Sequence, residues 1–415
     1  MTQVMKEMGI RAKHAAGVLG TVTTEQKNRA LEQIASALKE NREEIIKANE
    51  IDLENGRKAG MSAALLDRLA LNDQRIDGMA QGCLDVVALE DPCGRVLEDF
   101  TRPNGLHIQK VSVPMGVIGI IFEARPNVTV DAAALCLKSG NAVILRGGKE
   151  AINSNMKLAE IMRDALFSVG IPRDAVALVQ DTSRSSADEM MHMKGYIDCL
   201  IPRGGKGLIQ AICSSATVPV IETGSGNCHI YVDKYADIDM ASDIIFNAKT
   251  QRIGVCNACE SLVIHEDIID AALPAIKVLL DEKGVEIRGD ARAMQACDGI
   301  IEATEEDFYT EYLDYIISVK TVKSLDEAIE HINNCSTGHS EAIITENEEN
   351  ARIFMSRVDS AAVYVNASTR FTDGGEFGLG AEIGISTQKL HARGPMGLRE
   401  LTTVKYLIFG TGQVR

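Results

Sequence analysis

The sequence predicts an α/β fold built on a doubly wound, mostly parallel sheet, and three observations carry that prediction. The runs GVIGIIF (116–122) and AVILR (142–146) are apolar almost throughout, as is typical of strands buried on both faces of a sheet. Segments with helical spacing of apolar residues separate such runs, so strands and helices alternate along the chain. A second α/β segment covers about residues 240–390. Ligands are therefore expected outside the carboxyl ends of the strands.

The first half of the chain is predicted to begin with helices and to continue with strands and helices in turn. Residues 23–90 are rich in Ala, Leu, Glu and Lys with helical spacing, which predicts helices that pack on a later sheet. VDAAALCLKSG (130–140) predicts a helix that ends at Gly140, and another helix is predicted from about residue 151 to 169. The further strands predicted in this half are DAVALVQ (174–180), IDCLIP (197–202) and VPVIE (218–222).

Two polar, glycine-containing segments accompany these strands. Arg146-Gly-Gly-Lys149 ends the strand AVILR, and Glu222-Thr-Gly-Ser-Gly-Asn227 ends the strand VPVIE. Because ligands bind at the carboxyl ends of parallel strands, both segments are candidate parts of a functional site.

The second half is predicted to contain a further sheet and a long loop. Its strands are ESLVIH (260–265), DYIISVKTV (314–322) and AAVYVNAS (361–368). The glycine-rich segment 371–386 is predicted to be an irregular loop, and loops of that length in compact enzymes are usually functional. LTTVKYLIFGTG (401–412) predicts a terminal strand, and its apolar character predicts docking against another subunit.

Composition narrows the class of protein. A chain of 415 residues with 45% hydrophobic and 25% charged residues suggests two or three soluble domains. The net charge of −16 argues against general binding to nucleic acid or to an anionic membrane surface. No apolar run is long enough to span a bilayer, and the N-terminus has no signal-peptide core. Ten cysteines without regular spacing favour a cytoplasmic protein with reduced thiols.

The segment QRIGVCNACES (251–261) raises three alternatives, since Cys256 and Cys259 could bind a metal, form a redox pair or include one nucleophile. Structural zinc needs four ligands, and the sequence has no second CxxC, while the nearest histidine, His265, lies in a predicted strand. A thioredoxin-like pair is typical of a much smaller domain. A lone buried cysteine is most often an inert apolar residue. The polar, glycine-containing surroundings of Cys256 nevertheless favour a nucleophile, for which Glu222 supplies a carboxylate.

Five longer segments resemble one known family. The chain is similar to the aldehyde dehydrogenase superfamily from about residue 10 to the C-terminus, and within it to a branch of acyl-phosphate reductases. The segments that carry the resemblance are VPMGVIGIIFEARPNVTVDAAALCLKSGNAVILRGGKEA (113–151), IETGSGNCHIYVD (221–233), LDEAIEHINNCSTGHSEAI (325–343), GGEFGLGAEIGISTQKLHARGPMGL (374–398) and ELTTVKY (400–406).

The resemblance implies an NADPH-dependent reduction of L-glutamyl 5-phosphate to L-glutamate 5-semialdehyde, the second step of proline biosynthesis. It implies a doubly wound NADP-binding domain, an α/β catalytic domain and a small oligomerisation element made of strands. A homo-oligomer is expected, with functional coupling to the glutamate 5-kinase that makes the acyl phosphate. The residue ranges expected for the three parts are 1–97 with 113–224, 225–396, and 98–112 with 397–415.

The resemblance also implies roles for individual residues in the reaction. Cys256 is expected to attack the acyl carbon and to form a thioester that NADPH reduces. The oxyanion is expected to be held by the Cys256 amide and the Asn127 side chain. Glu222 is expected to manage a proton or orient the thiol, although a carboxylate that only caps the glycine-rich turn is an almost equal alternative. Cys259 is expected to pack as a bystander.

Binding roles follow for the cofactor and the substrate. Arg146 and Lys149 are candidates for the ribose 2′-phosphate, although a solvated pair of charges is an equal alternative, and Glu311 resembles the ribose-binding glutamate of the superfamily. The absence of a GxGxxG fingerprint fits the resemblance, because aldehyde dehydrogenases bind the cofactor without it. The arginines that could bind the substrate carboxylate are Arg125, Arg370 and Arg393, among which the sequence does not choose. His229 and His339 are expected to be structural, and no metal is expected.

Three other functions stay open at this level. A generic NAD(P)-dependent aldehyde dehydrogenase would oxidise a small aldehyde without needing phosphate. A binding or scaffold protein would leave Cys256 unreactive, and a zinc-stabilised structural protein would hold stoichiometric metal.

Overall fold

The computed structural model describes residues 1–123 and 125–415, and its internal contacts divide the chain into two compact units. Unit 1 contains Met1–Thr223, Gly378–Gly384 and Met396–Arg415. Unit 2 contains Gly224–Phe377 and Ile385–Pro395.

The secondary structure is numbered in chain order. The helices are α1 Gln3–Leu19, α2 Thr24–Glu40, α3 Arg42–Lys58, α4 Ala63–Leu69, α5 Asp73–Ala88, α6 Asn127–Lys138, α7 Ile152–Ser168, α8 Arg184–Met191, α9 Lys206–Ser215, α10 Ile238–Thr250, α11 Ile269–Asp281, α12 Ala291–Ala296, α13 Leu325–Cys335 and α14 Glu348–Arg357. The strands are β1 Val96–Thr101, β2 His107–Pro114, β3 Val117–Phe122, β4 Ala142–Arg146, β5 Val176–Leu178, β6 Cys199–Arg203, β7 Cys228–Val232, β8 Cys259–His265, β9 Glu286–Gly289, β10 Ile301–Glu302, β11 Ile316–Val322, β12 Ser340–Ile344, β13 Ala362–Val365, β14 Gly384–Ser386, β15 Gly394–Met396 and β16 Thr402–Phe409.

The sheet of unit 1 has four parallel strands in the order β5-β4-β3-β6. Every residue of β3 is buried, as the uninterrupted apolar run predicts. Helix α1 contacts the strands, while α2, α3 and α5 pack against α6 and α7 and so add a second helical layer. Helix α6 stops where Gly140 takes φ +75°, a left-handed conformation that glycine adopts without strain.

The sheet of unit 2 has seven strands, all parallel, in the order β10-β9-β11-β8-β7-β12-β13. Alternate residues of β7 point to opposite faces, so Ile230 and Val232 join one apolar cluster while Tyr231 joins another. The first cluster includes residues of α10 and α11, and the second includes residues of α13 and α14. Helices therefore cover both faces, and the predicted doubly wound parallel fold is confirmed.

A third sheet, which belongs to unit 1, pairs β1, β2 and β16 in antiparallel fashion. The terminal strand predicted at 401–412 is confirmed as β16, which pairs with β2 along its whole length. All six residues of β1 and most of β16 are exposed.

One predicted strand is wrong. VPVIE (218–222) forms no strand, and Val220 makes only an isolated bridge to Leu200 of β6. Pro219 has no backbone N–H to donate and a glycine-rich segment follows, so pairing does not extend beyond the bridge. Glu222 consequently lies in an irregular segment rather than at a strand end.

Candidate active site

Cys256 lies in a loop, residues 251–258, that joins α10 to the central strand β8 of unit 2. The side chain of Asp237 accepts a hydrogen bond from the Met240 amide at 2.8 Å and caps the start of α10. Cys256 is partly exposed, whereas Cys259 lies inside β8 and is fully buried. Burial raises the pKa of the Cys259 thiol well above its usual value. Of these two cysteines, Cys256 is therefore the one that solvent reaches.

A buried ion pair closes the base of this loop. Lys249 in the last turn of α10 donates to Glu260 on β8 at 2.6 Å, and both side chains are 0% exposed. Burial raises the pKa of the Glu260 carboxyl to about 7, although the Lys249 ammonium acts in the opposite direction. Separating the two side chains would leave uncompensated buried charges. The pair therefore keeps the two ends of the loop together.

The main chain of Cys256 is fixed by the segment before β7. A Cβ added to Gly226 would lie 1.4 Å from the Cys256 carbonyl oxygen, so only glycine fits there. The Cys228 thiol donates to the same carbonyl at 3.1 Å. The Gly226 amide in turn donates to the Glu311 carboxylate at 2.7 Å. Glu311, the predicted ribose ligand, therefore holds the turn against which the Cys256 loop packs.

A second segment, residues 369–372, binds the other side of the loop. Asn257 donates its side-chain amide to the carbonyls of Arg370 and Thr372, at 3.2 and 2.9 Å. The Thr369 hydroxyl donates to the Asn257 carbonyl at 2.8 Å. The residue that follows Cys256 is therefore anchored by three hydrogen bonds to one short segment.

Among the three candidate arginines, the structure brings Arg370 to the Cys256 loop. Its Nε donates to the Gln251 side chain at 3.0 Å. Burial lowers the pKa of Arg370 and the nearby Arg252 cation lowers it further, whereas the Asp373 carboxylate opposes that shift. Sequence reasoning missed Arg252, although it stands four positions before Cys256 in the same motif.

The other two arginines have different surroundings. The Arg393 guanidinium donates to the Asp359 carboxylate at 2.9 Å and to the Asp359 carbonyl at 3.0 Å, so it is committed to the protein. Arg125 belongs to unit 1 and is exposed.

The predicted catalytic residues Asn127 and Glu222 belong to unit 1, whereas Cys256 belongs to unit 2. The Asn127 amide donates to Asp131 at 2.9 Å along α6. Burial, together with the charge of the nearby Glu222 carboxylate, raises the pKa of the Cys213 thiol to about 11. Their catalytic roles stay predictions.

The predicted cofactor residues of unit 1 lie at the carboxyl end of β4. Lys149 is exposed, whereas Arg146 donates through Nη2 to the carbonyls of Thr182 and Ser183, at 2.7 and 3.0 Å. The same tetrapeptide, Arg-Gly-Gly-Lys, recurs at 203–206, where it links β6 to α9. Because β4 and β6 flank β3, the two copies lie at the same edge of the sheet. Sequence reasoning missed this repeat, although the repeated letters signal it.

The two histidines expected to be structural are fully buried in unit 2. His229 faces the Asn227 carbonyl through Nδ1 at 2.9 Å, and His339 faces the Ser340 hydroxyl through Nδ1 at 2.8 Å. Burial lowers the pKa of His339 to about 4, so its ring is neutral at pH 7. Over 1–123 and 125–415, no cluster of His, Cys, Asp or Glu side chains has the size needed to bind a metal ion.

A cavity of about 970 Å³ lies beside the edge strand β5, where α1, α3 and α7 contribute to its wall. Neither Arg146 nor Lys149 lines it. Its cations are paired within the protein, as Arg163 with Asp174 at 3.1 Å and Arg173 with Asp164 at 2.8 Å.

Within the same described ranges, no helix has both the length and the apolar composition required to cross a membrane.

Comparison with known proteins gives one family over nearly the whole chain. The model of the aldehyde dehydrogenase family matches residues 3–291 and 305–407. The gamma-glutamyl phosphate reductase of Heliobacterium modesticaldum is 60% identical over 407 residues, which are 98% of each chain. The enzyme of the same name from Clostridium botulinum strain Alaska E43 is 59% identical over 407 residues, again 98% of each chain.

Solved structures agree with these sequence relatives. The gamma-glutamyl phosphate reductase of Thermotoga maritima superposes with a TM-score of 0.97 at 53% identity and 99% coverage of both chains. An acetylating aldehyde dehydrogenase of Geobacillus thermoglucosidasius has a TM-score of 0.70 at 18% identity, covering 100% of this chain and 98% of its own. That more distant likeness concerns the fold alone.

Proposed function

Because this chain belongs to the aldehyde dehydrogenase family, and within it to the gamma-glutamyl phosphate reductases, we propose that it reduces L-glutamyl 5-phosphate to L-glutamate 5-semialdehyde with release of phosphate. This reaction is the second step of proline biosynthesis from glutamate. The observation that carries the mechanism is the partly exposed Cys256 on a loop fixed at its base by Lys249 and Glu260. Generic oxidation of a small aldehyde, the alternative, is not favoured by the relatives.

In the proposed reaction, the Cys256 thiolate forms a bond to the acyl carbon and the bond from that carbon to the phosphate oxygen breaks. The Cys256 amide and the Asn127 side chain stabilise the oxyanion, and Asn127, which donates one N–H to Asp131, has its second N–H for this role. Glu222 orients the thiol or manages its proton. The thiolate is restored when the aldehyde is released.

The experiment that tests this function runs the reaction in reverse. Purified protein is given glutamate 5-semialdehyde, NADP and phosphate, and reduced cofactor is followed by absorbance. The proposal predicts turnover that saturates with phosphate. Oxidation of the semialdehyde at the same rate without phosphate would favour a generic aldehyde dehydrogenase instead.

The cofactor is proposed to be NADP(H), which supplies a hydride when it is bound. The family uses a nicotinamide cofactor, and the two Arg-Gly-Gly-Lys turns of unit 1 fit an anionic one. The exposed Lys149 is the group proposed to bind the ribose 2′-phosphate. Arg146 supports it by ordering the turn at Thr182 and Ser183, whose carbonyls it binds. Glu311 is proposed to contact the ribose from the turn that it holds at Gly226.

We expect Lys149→Met to raise the KM for NADPH roughly ten- to a hundredfold and to change the KM for NADH little, because only NADPH carries the 2′-phosphate. Initial rates with each cofactor measure this selectivity. Lys149→Arg retains the charge and should retain most of the preference. Lys58→Met, which removes an exposed lysine of α3 paired with Glu54, serves as the control. An equal rise in both KM values would remove the assignment.

A homo-oligomer is proposed, joined through the three-stranded sheet β1-β2-β16. Its strands expose many apolar side chains, which is unusual for a surface that meets only water. Those more than a third exposed are Val96, Leu97, Phe100, Val404, Tyr406, Ile408 and Phe409.

We expect Ile408→Asp to lower the sedimenting mass to that of the monomer, because a charge would be buried at the interface. Ile408 is 60% exposed, so the monomer itself should tolerate the substitution. Val278→Asp, at a position on α11 that is 65% exposed, is the matched control and should sediment as wild type. Analytical ultracentrifugation distinguishes the two, and a full-size assembly of Ile408→Asp would place the interface elsewhere.

Two further parts of the proposal concern the cell. A nucleophilic thiol must stay reduced, which supports a cytoplasmic location. A kinase must supply the acyl phosphate, which supports functional coupling to glutamate 5-kinase.

A further inference from the structure

Two arginines stand at the Cys256 loop where the acyl phosphate has to react. Arg252 lies in the loop itself and is exposed. Arg370 donates through Nε to the side chain of Gln251 at 3.0 Å, and its carbonyl accepts from Asn257 at 3.2 Å. Arg370 is therefore hydrogen-bonded to two residues of the loop. One is Gln251, which precedes Arg252, and the other is Asn257, which follows Cys256.

Neither of these two cations is neutralised by an ion pair in the described part of the chain. Neither Arg252 nor Arg370 forms a salt bridge with another residue described in 1–123 and 125–415. Asp373 acts on Arg370 electrostatically, but its carboxylate accepts from the amides of Gly375 and Glu376, at 2.8 and 3.4 Å. Like charges placed together in an acidic protein raise its free energy, and an anion bound between them lowers it.

The order of atoms in the substrate decides which anion this is. The carbon attacked by Cys256 must come within contact distance of the sulfur, and one oxygen separates that carbon from the phosphorus. Three further carbons separate the α-carboxylate from the attacked carbon. Since Arg370 is hydrogen-bonded to Gln251 and to Asn257, the residue that follows Cys256, the phosphate is the substrate anion that lies nearest to it.

We propose that Arg252 and Arg370 form the binding site for the phosphate group of the acyl phosphate, an inference that rests on the proposed reductase function. As the sulfur–carbon bond forms and the carbon–oxygen bond breaks, the electron pair of that bond leaves with inorganic phosphate. The two guanidinium groups stabilise the negative charge that gathers on its oxygens. Arginine stays protonated throughout, so the pair supplies charge and orientation rather than a proton. The α-carboxylate is then bound by other groups.

The test is the KM for phosphate in the reverse reaction, compared with the KM for glutamate 5-semialdehyde. Arg252→Gln should raise the KM for phosphate roughly ten- to a hundredfold, the loss expected for a charged hydrogen bond, and leave the KM for the semialdehyde within about twofold. Arg252→Lys should recover part of the loss. Arg292→Gln on α12, whose guanidinium is paired with Asp270, should leave both constants unchanged.

A chemical measurement gives an independent answer that does not need turnover. The anionic reagent iodoacetate should alkylate Cys256 faster, relative to neutral iodoacetamide, in the wild type than in Arg252→Gln. Inorganic phosphate should slow iodoacetate in the wild type and not in the variant. A rise in the KM for the semialdehyde with an unchanged KM for phosphate would overturn the proposal, as would equal reagent ratios in the two proteins. Absence of phosphate-dependent turnover in the wild type would instead contradict the reductase function itself.

Discussion

Replacing Cys256 by alanine is expected to abolish phosphate-dependent reduction of NADP by glutamate 5-semialdehyde. Loss of a covalent nucleophile typically lowers kcat by at least about 10⁴-fold, because no other group opens the same route. We also expect mass spectrometry of rapidly quenched wild-type protein to show an acyl adduct on the 251–258 segment, and the same substitution should remove it. Both measurements address the same sulfur, one through turnover and one through bond formation.

The neighbouring cysteine provides the matched control. Cys259 is 0% exposed inside β8, so Cys259→Ala removes a buried sulfur and leaves the loop in place. A modest loss of stability, about 1 kcal/mol, is expected from the small cavity, with the adduct and turnover retained. An adduct that persists in Cys256→Ala, or that disappears only in Cys259→Ala, would contradict the assignment of the nucleophile.

Gly226→Ala is expected to produce the second largest loss, although residue 226 need never touch the substrate. Its new Cβ would lie 1.4 Å from the Cys256 carbonyl oxygen, so the loop has to shift. A misplacement of about 1 Å at a reacting group costs roughly a hundredfold in rate, and overpacking a buried site costs about 1–3 kcal/mol of folding free energy. Reverse-reaction kcat and thermal unfolding measure the two effects.

A glycine in open space separates this effect from a general response to alanine. Gly78 on α5 has no atom within 4 Å of the position where a Cβ would stand. Gly78→Ala should keep wild-type kcat and raise the unfolding temperature slightly, because alanine is the better helix former. Wild-type turnover in Gly226→Ala would mean that the Cys256 carbonyl is not held against residue 226 during the reaction.

The parallel sheets were predictable because burial on both faces leaves a direct mark on the sequence. β3 and β4 read as uninterrupted apolar runs, and the structure buries every residue of β3. VPVIE is also largely apolar yet makes a single bridge at Val220, because strand pairing depends on a neighbour's backbone and on the N–H donor that Pro219 lacks. Composition predicts where a strand can form, whereas the neighbouring strand decides how far the strand extends.

The sequence predicts which cysteine is the nucleophile of the candidate site, whereas it does not predict the residues that hold the loop of that cysteine. The motif around Cys256 and the resemblance to aldehyde dehydrogenases locate the thiol in the sequence. Nothing in the letters distinguishes Arg370 from Arg393, since the difference is that one reaches Gln251 and the other is paired with Asp359. Lys249 and Glu260 likewise become partners only because α10 and β8 bring them within 2.6 Å.

The buried ion pair between Lys249 and Glu260 joins the end of α10 to the start of β8, so the segment between them forms a closed ring. Substitutions inside the ring can alter the chemistry offered to a substrate without moving the points at which the chain enters and leaves it. The reactive sulfur and its scaffold can therefore be tuned separately, which makes residues 251–258 the natural segment to exchange when a different acyl donor is wanted.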